Sequence, residues 1–137
     1  MGVYGLRVKG DTMCQTCERY NNGKILMEND TCFAYQLDTD APRATIAVAP
    51  KRHIGNFFEM SYRENDETFQ LARNSKRWLD KQMSPDGYNT GYNIGEWGGQ
   101  PKETDVQHAT LYVIPRFAGD VPATDVVGGI LNILKGE

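Results

Sequence analysis

Two cysteines three positions apart, Cys14 and Cys17, and two histidines far down the chain, His53 and His108, restrict the fold more than any other feature. A C-x-x-C sets two thiolates on one tight turn, close enough to share a tetrahedral ion. His53 follows Pro50-Lys51-Arg52 at the end of a β-prone run, and His108 enters the last such run. If these two complete the set, three distant stretches of chain must converge on one point, as they do where structural zinc ties a small domain together. The four are both histidines and two of the three cysteines. The residues alone leave two other readings open. A redox dithiol needs the pair ahead of a helix in a thioredoxin-like βαβ unit, whereas Arg19-Tyr20-Asn21-Asn22-Gly23 runs into a turn signal. A surface His53, a core His108 and two ordinary thiols need no ion at all. Cys32, inside the apolar run Cys32-Phe33-Ala34-Tyr35-Gln36-Leu37, reads as a small buried hydrophobe.

The pattern around these residues predicts a single domain, residues 1–137, long enough to bury one core without disulfides. Residues 25–27 and 32–37, separated by Glu28-Asn29-Asp30, suggest a hairpin. Residues 44–49 form a β-prone run that Pro50 ends. From about residue 65 to residue 83, Leu71/Ala72, Ser75, Trp78/Leu79 and Met83 recur at helical spacing, and Ser84-Pro85-Asp86-Gly87 stops the helix. Residues 88–94 are a further strand, followed by a Gly- and Pro-rich loop over 95–105. Residues 106–114 alternate, with His108, Thr110 and Tyr112 on one face and Ala109, Leu111 and Val113 on the other. Strands outnumber helices and one long helix lies between strand groups. This is an α+β pattern with a mainly antiparallel sheet.

Composition removes several classes of function. A net charge of -3 gives no general grip on nucleic acid or an anionic membrane surface. No apolar run approaches the roughly 18–20 residues that span a bilayer. The N-terminal residues lack the pattern of a secretory signal, and Leu6 stands where a myristoylation motif requires Ser or Thr. Three cysteines with one C-x-x-C fit a reducing compartment, so the chain is expected in the cytoplasm.

Five pieces of sequence, in order, carry a resemblance. They are Cys14-Gln15-Thr16-Cys17, Pro50-Lys51-Arg52-His53-Ile54, and Pro85-Asp86-Gly87-Tyr88-Asn89-Thr90-Gly91-Tyr92-Asn93. Gly98-Gly99-Gln100 and Val113-Ile114-Pro115-Arg116-Phe117-Ala118-Gly119-Asp120-Val121-Pro122 complete them. Across nearly its whole length the chain resembles the histidine-triad (HIT) superfamily of nucleotide hydrolases and transferases. The resemblance implies a HIT-like fold with one long helix. Zinc-bearing members, and the related galactose-1-phosphate uridylyltransferases, use a C-x-x-C, a mid-chain histidine and the first triad histidine. These positions correspond to Cys14, Cys17, His53 and His108, so the resemblance implies structural Zn2+ there.

The family's triad is His-x-His-x-His. Aligned on Val113-Ile114-Pro115-Arg116, its positions fall on His108, Thr110 and Tyr112. The central histidine, the family's nucleophile, is therefore replaced by Thr110. An imidazole attacks phosphorus near neutral pH because it is substantially unprotonated, whereas a threonine hydroxyl needs a base to take its proton. Both histidines of this chain are assigned to zinc, and no motif places another base. The family's usual Gln-(Ser/Thr)-Val-x-His spacing is also stretched: seven residues separate Gln100 from His108, so Pro101-Lys102-Glu103-Thr104 reshapes a loop that cradles phosphate in relatives. Asp105 occupies a position that often carries a hydroxyl for phosphate, and its charge would repel a phosphoryl group.

Asn93, Trp97, Gln100, Thr110 and Tyr112 are the candidate ligand-binding residues, with Asp38 for ribose by resemblance. Arg116 fits a surface salt bridge as well as a phosphate contact, and Gly128-Gly129 resembles a tail that crosses the partner subunit in relatives. His108-Ala109-Thr110 also matches the H-x-T of two-histidine phosphoesterases, but those need a second such motif and His53 is followed by Ile54-Gly55. Gly95 to Gln100 has neither Walker nor Rossmann spacing. The expectation is a zinc-stabilised HIT-like homodimer that binds a nucleotide or small phosphorylated ligand without the family's nucleophile. An active hydrolase or transferase with a rewired site, using Thr110, Tyr112 or Asp105, and a non-catalytic dimeric interaction module are the alternatives.

Overall fold

The computed structural model describes residues 14–37 and 44–120. Asp38 and the Gly128-Gly129 tail lie outside the described residues. In chain order the elements are helix α1 (Gln15–Asn21), strands β1 (Met27–Glu28), β2 (Cys32–Gln36) and β3 (Ile46–Pro50), helix α2 (Tyr62–Met83), and strands β4 (Gly87–Tyr92) and β5 (Leu111–Arg116). Short 3-10 turns cover Phe57–Glu59, Glu96–Gly98 and Thr104–Val106. The strands form one sheet in the order β1-β2-β3-β5-β4, and every pairing is antiparallel. The α+β expectation is met.

Alternation along the central strands builds two cores, one per face. Cys32, Ala34, Ile46, Val48 and Val113 point at α2 and pack against Leu71 and Leu79. Phe33, Tyr35, Ala47 and Ala49 point the other way and are joined by Tyr20, Ile25, Leu37 and Tyr112. Cys32 is fully buried in the first core, as a small hydrophobe should be. Tyr112 and Val113 sit opposite Ala47 and Ile46 in the β3–β5 register, so the two faces are assigned as the alternation predicts.

The bounds of β1, β3 and β4 shift by one or two residues from the sequence expectation, and three other differences have a physical reason. Helix α2 begins at Tyr62, three residues early, because Ser61 and Glu64 form a capping box. The Ser61 hydroxyl accepts from Glu64 N–H at 3.0 Å, and the Glu64 carboxylate accepts from Ser61 N–H at 2.9 Å. That carboxylate also receives Arg52 through Nε at 3.0 Å and Nη2 at 2.8 Å. Burial opposes its ionisation, but Arg52 and the Ser61 N–H hold its pKa below the usual carboxylate range. The residue before His53 is thereby clamped to the start of α2.

The last strand is shorter at its start than the alternation over 106–114 suggests, and its ladder begins at Leu111. Pro50, at the end of β3, has no N–H to give. Its carbonyl takes the His108 Nε2–H at 2.8 Å, and the Ala109 N–H goes to the Ile54 carbonyl at 2.8 Å. The C-x-x-C is also more than a turn. Cys14 is the N-cap of α1 and Cys17 lies within the helix, whose end is marked by Asn22 and by Gly23 at φ 72. The Asn22-Gly23 turn signal thus closes a short helix rather than following the cysteines directly.

Candidate metal centre

The α1 N-terminus, the segment after β3 and the approach to β5 converge on one point. Cys14, Cys17 and His108 are buried and His53 is partly so, and their Sγ and Nδ1 ligand atoms all lie within 4.8 Å of one another. Cys17 Sγ stands 3.2 Å from His53 Nδ1 and 3.5 Å from His108 Nδ1; Cys14 Sγ stands 3.4 Å from His108 Nδ1. A tetrahedral zinc with ordinary Zn–S and Zn–N bonds separates sulfur from nitrogen by about 3.5 Å. Three of the four sulfur–nitrogen separations therefore match a tetrahedral zinc site.

The outer nitrogens fix which face of each ring is offered. His108 Nε2 lies 2.8 Å from the Pro50 carbonyl and His53 Nε2 lies 3.1 Å from the Asp105 carbonyl. A carbonyl can only accept, so each Nε2 carries a proton and donates it. That leaves Nδ1, on both rings, directed at the sulfurs, the arrangement that orients histidine ligands in metal sites. Without a cation the two thiols share a proton. The hydrogen bond from Cys17 draws the Cys14 thiol down to about 3, against burial and with help from His108. Cys17, donor to that thiolate and itself buried, is pushed up. A divalent cation would displace the proton and relieve both effects. Cys14, Cys17, His53 and His108 fit zinc.

The groove-side candidates are arranged differently. Thr110 is 6% exposed, and its hydroxyl donates to the His108 carbonyl at 2.9 Å. Tyr112 packs in the face of the sheet that carries Phe33 and Tyr35. Gln100 commits its whole amide to backbone: Nε2 donates to the Gly55 carbonyl and Oε1 accepts from Gly95 N–H, both at 2.7 Å. Asn93 is seated against Gly99, where a Cβ would fall 2.8 Å from Asn93 Nδ2 and φ is +111°. Trp97, in the same loop, is 96% exposed. Arg116 pairs with Asp120 at 2.8 Å and bonds the Asn89 side chain, which makes it a surface ion pair. Asp105 is exposed, and it is its backbone carbonyl, not its carboxylate, that meets His53. Sequence reasoning missed both carbonyl acceptors, since a backbone oxygen leaves no residue signature. It also passed over Gln107, whose amide bonds the Pro101 carbonyl at 2.8 Å.

No family model matches the chain. Solved structures do. A hypothetical histidine triad nucleotide-binding protein from Sulfolobus tokodaii superposes with a TM-score of 0.69 at 22% identity, over 81% of this chain and 74% of that one. A HIT family member from Bacillus subtilis gives 0.68 at 22% identity, over 90% of this chain and 96% of that one.

This is the histidine-triad fold.

Among sequences, a HIT-like protein of Methanocaldococcus jannaschii is 29% identical over 113 residues, 79% of this chain and 82% of its own length. An AP-4-A phosphorylase of Mycobacterium tuberculosis is 25% identical over 84 residues, or 61% of this chain. The match spans only 42% of that enzyme's length. In this fold the Cys14, Cys17, His53 and His108 cluster lies near the start of β5, with Thr110 just before that strand and Tyr112 within it.

Proposed function

We propose that this protein is a zinc-stabilised, HIT-like nucleotide or phosphorylated-ligand binder whose nucleophilic histidine has been replaced by Thr110. One observation carries the reading. Both imidazoles turn Nδ1 toward the two thiols, and their Nε2 atoms are bonded to the carbonyls of Pro50 and Asp105. Neither ring is left to attack phosphorus or to take a proton from Thr110. Zinc bound here supplies a cross-link between α1, the end of β3 and the entry to β5. Similarity to a nucleotide-binding histidine triad protein and to an AP-4-A phosphorylase favours a nucleotide as ligand.

Titration of the zinc-loaded protein with AMP, ADP and inorganic phosphate, followed by thermal unfolding, tests the binding claim. A mononucleotide at a hundred times its Kd stabilises by about 2.7 kcal/mol, a readily measured shift in melting temperature. No shift with any of the three favours the interaction-module reading instead. The expected homodimer has a concrete edge available: β4 borders the sheet, and Tyr62 and Phe69 of α2 stand exposed. Light scattering is expected to return twice the chain mass, and a concentration-independent monomer would refute it.

A further inference from the structure

Three consecutive residues, His53, Ile54 and Gly55, are each bonded to the stretch between Gln100 and Ala109. His53 Nε2 donates to the Asp105 carbonyl at 3.1 Å, the Ile54 carbonyl accepts from Ala109 N–H at 2.8 Å, and the Gly55 carbonyl accepts from Gln100 Nε2 at 2.7 Å. The stretch itself is folded for the purpose. Thr104–Val106 makes a 3-10 turn in which Val106 N–H reaches the Glu103 carbonyl and Gln107 N–H reaches the Thr104 carbonyl, both at 3.2 Å. The Gln107 side chain, 9% exposed, then closes the loop on its own beginning by donating to the Pro101 carbonyl at 2.8 Å. The lengthened loop thus leads into the turn whose Asp105 carbonyl faces His53, and Gln107 ties that turn back to Pro101.

We propose that the segment from Pro101 to Gln107 is a buttress for the metal centre, with Gln107 as the positioning residue that holds the Asp105 carbonyl against His53. This rests on the zinc reading above. His53 is the ligand most in need of such support, because it is the only one of the four that is not buried. Cys14 and Cys17 are set by α1, and His108 is held from below by the Pro50 carbonyl. With the Asp105 carbonyl displaced, the His53 ring loses the bond that fixes its tautomer and orientation. Loss of such an outer partner typically costs 10–100-fold in metal affinity.

The test is zinc affinity of the full chain by competition with a chromophoric chelator, with Gln107→Met removing the donor at similar volume. Gln107→Asn is the second variant, since it keeps an amide too short to reach Pro101. Both are expected to bind zinc at least about ten-fold more weakly than wild type, with melting temperatures in excess chelator unchanged. In a His53→Ala background the same substitutions are expected to cost nothing further, because the ring they position is gone. Unchanged affinity in both variants overturns the buttress and leaves the zinc reading standing. So does a loss that persists in full without His53, which would place the effect on neighbouring His108 or on folding. If wild type itself binds no zinc, both readings fall together.

Discussion

Replacing Cys17 with serine is expected to weaken zinc binding by about a hundred-fold or more and to lower the melting temperature by roughly 10 °C. The reasoning starts from the donor set. Structural zinc held by four cysteine and histidine ligands contributes about 10–16 kcal/mol of apparent binding energy at neutral pH. An equal share for one ligand is about 3 kcal/mol, which is two orders of magnitude in affinity. Cys17 is the ligand to choose because its sulfur approaches both Nδ1 atoms, at 3.2 and 3.5 Å, and the Cys14 sulfur approaches one.

The stability effect follows from where the ligands sit. Helix α1 has only seven residues, well below the roughly 12–15 that a helix needs to persist by itself in water. Among the described residues it is joined to the sheet by the Cys/His cluster, by the Tyr20 ring against Phe33, by Arg19 over the Tyr35 ring and by side-chain bonds from Thr16 and Tyr20. The sheet and α2 share a core to which α1 contributes no residue, so they are expected to keep their fold in excess chelator. Zinc at a thousand times its Kd adds about 4 kcal/mol, or some 10 °C or more for a chain of this length. Dialysis of wild type against a strong chelator should reproduce the effect of the substitution. Elemental analysis that finds no zinc in purified wild type, with a melting temperature indifferent to chelator, would dispose of the metal centre.

The Cys14, Cys17, His53 and His108 cluster was legible because these are rare residues whose chemistry is specific, and the strands and long helix because period-2 and period-3.6 patterns reflect which face is buried. What the sequence concealed was mostly backbone. The orientation of both imidazoles depends on the carbonyls of Pro50 and Asp105, and any residue type carries a carbonyl. The alternation over 106–114 extends ahead of the true strand start, since side-chain polarity does not register that Pro50 has no N–H for the ladder and that its carbonyl is taken by His108. Gln100 was a ligand candidate through the Gly98-Gly99-Gln100 piece of the resemblance. In the fold, its amide satisfies Gly95 and Gly55 instead. The Ser61-x-x-Glu64 box, by contrast, was in plain view and would have given the helix start correctly. It was masked by the apolar periodicity, which only sets in later.

The second large effect is catalytic. Purified, zinc-loaded protein is expected to hydrolyse dinucleoside polyphosphates, nucleoside phosphoramidates and adenylyl-sulfate at least about 10⁴-fold more slowly than a histidine triad enzyme with an intact triad. Thr110→Ala is expected to leave that residual rate unchanged. A hydroxyl becomes a nucleophile only as a base removes its proton, and the Thr110 proton is directed at the His108 carbonyl, which is not a base. His108, two residues before Thr110, directs its Nδ1 at the cysteine sulfurs and its Nε2–H at Pro50, so with zinc bound both ring nitrogens would be committed. Asp105 is the residue before Val106 in the buttressing turn, with its carbonyl on His53. Intact-mass measurement after incubation with substrate should find no nucleotidylated protein, because the atom that forms the phosphorus–nitrogen bond in relatives is absent. Thr110→His separates the two remaining possibilities. If it creates turnover, the threonine marks a vacated nucleophile position; if it abolishes turnover that Thr110→Ala also abolishes, the hydroxyl was reacting and the silent-site reading is wrong.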